Sequence, residues 1–257
     1  MKTFLKILLV ISFFSISVNA LSYTSLKYAT KLIKSSKALS PKKIKKLAKL
    51  LDELHGTKKV GKALGKMKLP NEVLEDTFMR LAIYKKRIGR KEAEEMMSHL
   101  KDVKGFRTTL RKVIGNSAKK TTGHLHELRL AKRASKNGFK VLGIGEKFSD
   151  GIKAMPTDID ILIKNKNKLF AIEAKSYLPT TIMKPAMIKA DMKTLASFTK
   201  QNSSKNVIPI FSITNKPSSK VTQKILETEA KKYGVQLIYG NPHEQMEKIK
   251  LLGEILS

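Results

Sequence analysis

Apolar residues recur at helical spacing in the first part of the chain and in strand-length runs in the second, and the pattern changes near residue 123. Ile44, Leu47, Leu51 and Leu54 stand three and four apart, which is the spacing of one helix face. Ser40-Pro41 just ahead of them supplies a Ser N-cap with Pro at the first helical position. Lys42, Lys43, Lys45, Lys46 and Lys49 cover the opposite face. The spacing predicts further helices over 71–88, where Val73, Phe78, Leu81 and Ala82 point inward, and over 90–103. Gly56, Gly61 and Gly65 mark breaks. Residues 21–122 therefore read as an all-helical region.

From residue 123 a helix carried by Leu125, Leu128, Ala131 and Ala134 ends at Asn137-Gly138, a C-cap signal. Apolar runs of strand length follow over 139–144, 159–163 and 169–174. A helix over 184–201, a strand over 207–213, a helix over 221–233 and a short strand over 235–239 come next. A weakly amphipathic helix over 242–256 closes the chain. The order α-β-β-β-α-β-α-β describes an α/β domain with a central sheet over 123–257, making the whole chain α+β.

Residues 1–20 do not belong to that pattern. Lys2 and Lys6 precede an apolar run over 7–16, and Val18-Asn19-Ala20 places small residues where a leader would be cut. The run is shorter than the ~20 residues that span a bilayer, so it reads as a signal peptide and the mature protein as periplasmic or secreted.

Charge narrows the partner. The 257 residues carry 52 Lys+Arg against 21 Asp+Glu, a net +31. Removal of Lys2 and Lys6 leaves +29, of which +18 falls in 21–122 and +11 in 123–257. Such an excess fits a polyanion, nucleic acid before an anionic membrane surface. The chain has no Cys, which excludes a disulfide scaffold, a thiolate metal site and a Cys nucleophile.

In so basic a chain, carboxylates on apolar strands stand out. Asp158 and Asp160 lie in Pro156-Thr157-Asp158-Ile159-Asp160-Ile161-Leu162-Ile163, and Glu173 lies in Leu169-Phe170-Ala171-Ile172-Glu173-Ala174-Lys175. Asn165-Lys166-Asn167 between the runs is a turn signal, so the two strands pair antiparallel and Asp160 comes beside Glu173. Glu173 and Lys175 share a strand face, ~6.6 Å apart. Two carboxylates and an ammonium on one face suit a hard divalent cation with open water positions. Beside it a lysine can orient a water for phosphodiester hydrolysis.

The D-x(12)-E-x-K spacing of Asp160, Glu173 and Lys175 resembles that of the PD-(D/E)xK nuclease superfamily, which includes restriction endonucleases and Holliday junction resolvases. The resemblance covers about 123–239. It implies an αβββαβ core, Asp160 and Glu173 as ligands of Mg²⁺ (or Mn²⁺), Lys175 as the signature lysine, and the Ala174 carbonyl near the metal. It further implies a role for Glu127, in His124-Leu125-His126-Glu127-Leu128-Arg129, at the opening of the preceding helix. Asp158 competes with Asp160 for the first ligand position, and Asp160 fits the pattern of an acid followed by apolar residues.

Other polar residues carry less. His124 and His126 point to different helix faces and read as surface positions at a helix N-terminus. Lys184, Lys189, Asp191, Lys193 and Gln201 lie on the helix after the E-x-K strand, where a substrate contact is expected from Lys193 or Gln201. Tyr177 reads equally as a base-stacking or a rim residue. The expectation is an exported, Mg²⁺-dependent nuclease, with DNA as substrate before RNA. A toxin of this kind needs a neutralising immunity protein as partner. The competing classes are a non-catalytic nucleic-acid-binding protein and a cationic membrane-active toxin acting through 21–122.

Overall fold

The computed structural model describes residues 71–115, 118–148, 152–153 and 157–255. The expected signal peptide, the helix expected over 41–54 and the glycine breaks expected after it lie outside these residues. Among these residues seven α-helices and five strands form a mixed α/β arrangement. Helices α1 (Asn71–Tyr84), α2 (Arg90–Leu100), α3 (Phe106–Gly115) and α4 (Ala118–Lys136) come first. Strands β1 (Lys140–Glu146), β2 (Ile159–Asn165) and β3 (Lys168–Lys175) follow. Then come α5 (Pro185–Gln201), β4 (Val207–Ile213), α6 (Lys220–Tyr233), β5 (Gln236–Tyr239) and α7 (Pro242–Ile255).

The sheet runs β1-β2-β3-β4-β5. β1, β2 and β3 form an antiparallel meander, whereas β4 and β5 add in parallel after the crossover helices α5 and α6. All but the last residue of β3 are buried, as a central strand covered on both faces must be. The β2–β3 turn pairs Asn165 with Lys168. Its left-handed residue is Lys166, φ 52°, rather than either of the flanking Asn residues on which the turn was read.

Two apolar layers fill the two faces. On one, Ile161, Ile163, Phe170, Ile172 and Ala174 pack with α1–α4 and α7 through Phe78, Leu81, Phe106, Leu128, Ala131 and Met246. On the other, Leu162, Ala171, Phe211 and Ile213 pack with Ile188, Met192, Leu195 and Phe198 of α5 and Leu226 of α6. The helices over 71–115 thus share one core with the sheet, and the division expected at 122/123 falls inside α4.

α4 begins at Ala118, not at 123. Gly123, at the expected boundary, lies inside the helix, and a Cβ there would meet nothing within 4 Å. The Thr121 hydroxyl donates to the Val113 carbonyl at 3.2 Å and ties α4 to α3. At its other end the Asn137-Gly138 signal holds. Gly138 takes φ 80°, and Phe139 N–H donates to the Ala134 carbonyl at 3.0 Å before β1 starts.

Candidate functional site

The meander places the strand acids. Ile161 pairs with Ile172 and Leu162 with Ala171, so the register carries Asp160 opposite Glu173. Asp160 Oδ2 accepts the backbone N–H of Ala174 at 2.9 Å, which pins the carboxyl of β2 to the end of β3. Alternation puts Ala171, Glu173 and Lys175 on the face covered by α5. Lys175 Nζ donates to Glu173 Oε1 and reaches Asp191 Oδ2 on α5 at 2.9 Å. The Lys175 carbonyl accepts Thr214 N–H at 3.0 Å, which fixes this end of β3 against the loop after β4.

Glu127 arrives from α4 on the opposite layer, 7% exposed, and hydrogen-bonds His124 Nδ1 at 3.0 Å. It is close enough to act electrostatically on Asp160. Because α4 starts early, Glu127 lies in mid-helix and the two histidines are not at a helix N-terminus. His126 is buried, and burial, reinforced by the Arg129 charge, lowers its pKa to about 4. Its ring is therefore neutral at physiological pH, which corrects the surface placement. Asp158 is exposed, as are Lys184, Lys189, Lys193 and Gln201. Tyr177 is half-buried at the rim of the α5 layer, with its N–H on the Thr214 hydroxyl at 2.9 Å.

The electrostatics are those of anions held away from water. Burial raises the Asp160 pKa, and the Glu173 and Glu127 charges raise it further against Lys175 and the Ala174 N–H. Burial also raises that of Glu173, with Lys175 opposing and Asp191 adding to the effect. Burial works against the Lys175 ammonium, but Glu173, Asp160 and Asp191 outweigh it and lift its pKa above the usual lysine range. Three carboxyl groups thus act on a single ammonium.

Like-charged oxygen donors that burial and mutual repulsion leave undercompensated are the donor set a hard divalent cation takes. Asp160 and Glu173, with Glu127 near, fit that chemistry. Among the described residues no group of three or more His, Cys, Asp or Glu side chains is placed to hold a metal ion, so a cation here would rest on two carboxylates and keep waters or substrate oxygens as its other ligands.

Sequence reasoning missed the part played by Asp191. Its signal was present: Ile188, Met192, Leu195 and Phe198 form the buried stripe of α5, and Asp191 falls on that side of the helix, three residues after Ile188 and four before Leu195. An acid on an inward stripe needs a partner, and Lys175 is that partner.

No family model, curated protein or solved structure matches the chain.

Proposed function

We propose that the protein is an exported, metal-dependent nuclease of the PD-(D/E)xK kind, acting on DNA before RNA. The observation that carries this reading is the Asp160–Glu173–Lys175 cluster at the paired ends of β2 and β3, with Glu127 beside it. Support also comes from the order helix, three-stranded meander, helix, parallel strand over α4 to β4, which agrees with an αβββαβ restriction-endonuclease-like core.

Asp160 and Glu173 would hold Mg²⁺ or Mn²⁺, with Glu127 as a further ligand directly or through water. The cation would neutralise charge on the scissile phosphate and lower the pKa of the attacking water. Lys175 orients that water. Surface lysines bind the phosphate backbone without reading bases, so affinity falls steeply with salt. The leader over 1–20 and the helical region over 21–122 are part of the proposal, as is an immunity protein as partner if the nuclease is a toxin. Among the described residues no helix is long and apolar enough to cross a membrane.

One observation favours a second reading, a non-catalytic nucleic-acid-binding protein: Lys175 already neutralises Glu173, the acid a cation would need. The test is to incubate residues 21–257 with plasmid DNA and with total RNA, with Mg²⁺ or EDTA, beside Glu173→Ala and Lys175→Ala. Magnesium-dependent cleavage lost in both variants supports the nuclease. Cleavage that survives both removes this site, and binding without cleavage supports the second reading.

A further inference from the structure

Lys175 stands between two acids on different elements. Glu173 lies on its own strand, two residues back, while Asp191 comes from α5 across the face of the sheet. The lysine side chain is 18% exposed, that of Glu173 10% and that of Asp191 26%. Glu173 is therefore the drier partner and Asp191 the one nearer solvent. The local β3 geometry alone supplies the Lys175–Glu173 contact, because alternate residues of a strand share a face. A second acid delivered by a helix is not needed to compensate Lys175. It adds a negative charge to a cluster already rich in them.

We propose that Asp191 is a positioning residue for Lys175: it takes over the ammonium so that Glu173 is released to a divalent cation. The inference rests on the reading of Asp160 and Glu173 as cation ligands. Without a second partner, the ammonium and an incoming cation compete for the same carboxylate, and each positive charge raises the cost of the other. With Asp191 in place, Lys175 keeps an ion pair at 2.9 Å when it gives up Glu173. It also remains next to the site, where a lysine is required to act on water or phosphate. Lys175 then becomes a resident counter-ion of the empty site and a working group of the loaded one.

The test uses cation binding without nucleic acid, so it does not depend on turnover. The rise in melting temperature of residues 21–257 is titrated with Mn²⁺ and with Ca²⁺, and Mn²⁺ binding is followed by the loss of its free-ion resonance signal. Four proteins are compared: wild type, Asp191→Asn, Lys175→Met and the double variant. Asp191→Asn is expected to weaken cation affinity about tenfold, and Lys175→Met to strengthen it. In the Lys175→Met background Asp191→Asn should change affinity less than threefold, because the residue acts through the lysine.

An equal effect of Asp191→Asn in both backgrounds would mean simple through-space charge, and it overturns the proposal. So does an affinity in Asp191→Asn equal to wild type, even if the melting temperature without cation has dropped, since a structural ion pair does only that. Absence of any cation-dependent shift in wild type overturns the metal reading itself, and with it this inference. A variant that does not fold is replaced by Asp191→Ser and Lys175→Gln, with the same expectations.

Discussion

Asp160 and Ala174 are joined across the β2–β3 ladder by a hydrogen bond from backbone N–H to carboxylate, 2.9 Å long. It spends one oxygen of Asp160 on holding two strand ends together and leaves the group facing Glu173. The side chain is thereby fixed among like charges, which an ordinary core would exclude. Asp160→Asn keeps an acceptor for Ala174 and removes the charge. The variant is expected to be more stable than wild type at pH 7 by ~1 kcal/mol, the sign found where a site holds unfavourable charge for function, and to lose cleavage. Chemical denaturation and a plasmid assay on one preparation check both. Loss of stability together with activity would show the acid to be structural.

Arg129 and Glu92 join α4 to α2 through two hydrogen bonds, Nε to Oε1 at 2.7 Å and Nη2 to Oε2 at 3.1 Å. The bond from Arg129 holds the Glu92 carboxyl below its usual range, with burial opposing it. A carboxyl whose folded pKa is lowered contributes fully above its unfolded value, near 4.5, and the contribution is lost as pH falls through the folded value. The arginine side chain is 40% exposed, so solvent screens the pair and Glu92→Gln should cost only ~0.5 kcal/mol at neutral pH. Urea midpoints should differ at pH 7 and converge below pH ~4. A difference that stays constant with pH would assign the loss to packing rather than charge.

Gly105 enters α3 at φ 85°, and a Cβ there would lie 1.8 Å from the Ile144 carbonyl oxygen of β1. The neighbouring Lys104 carbonyl accepts Ile144 N–H at 2.9 Å, so the loop is bonded to the strand it would have to leave. Gly105→Ala should therefore cost ~3 kcal/mol, combining left-handed strain with a backbone clash. Gly138 makes the comparison. Its φ is 80° but a Cβ would meet nothing within 4 Å, so Gly138→Ala carries the conformational cost alone, ~1 kcal/mol. Denaturation midpoints of the two variants separate clash from strain, and equal losses would contradict the close approach at β1.

What the sequence disclosed follows the range of the interactions involved. The apolar runs of β2, β3 and β4 announce themselves because each strand buries its own residues, and Glu173 stood out as an acid inside such a run. The Ile161–Ile172 register followed from the turn and from period-two alternation, both local. The start of α4 did not, because the apolar stripe that marks the helix begins only at Leu125, and the first turns are tied down by α3 through Thr121. That one shift moved His126 from a surface position to a buried, neutral ring. Asp191 was invisible as a partner for Lys175 for the same reason: only the crossover that lays α5 over β3 brings the two together.

Lys184 caps the exposed start of α5, two helical turns before Asp191 and on the same side of the helix. Under the proposed function a strand bound at the cluster would pass this N-cap lysine, whereas Lys193 lies on another side of the helix. If the excess of positive charge binds the nucleic acid through phosphates, each contact releases counterions and makes the binding constant salt-dependent. Lys184→Ala should then reduce the slope of log affinity against log salt by ~0.9 and weaken binding equally for unrelated sequences. Measured with Ca²⁺ in place of Mg²⁺ on several duplexes, Lys193→Ala should show the smaller change of slope. Equal slopes for wild type and Lys184→Ala would remove this lysine from the path of the strand, and loss confined to one sequence would make it a base-reading residue instead.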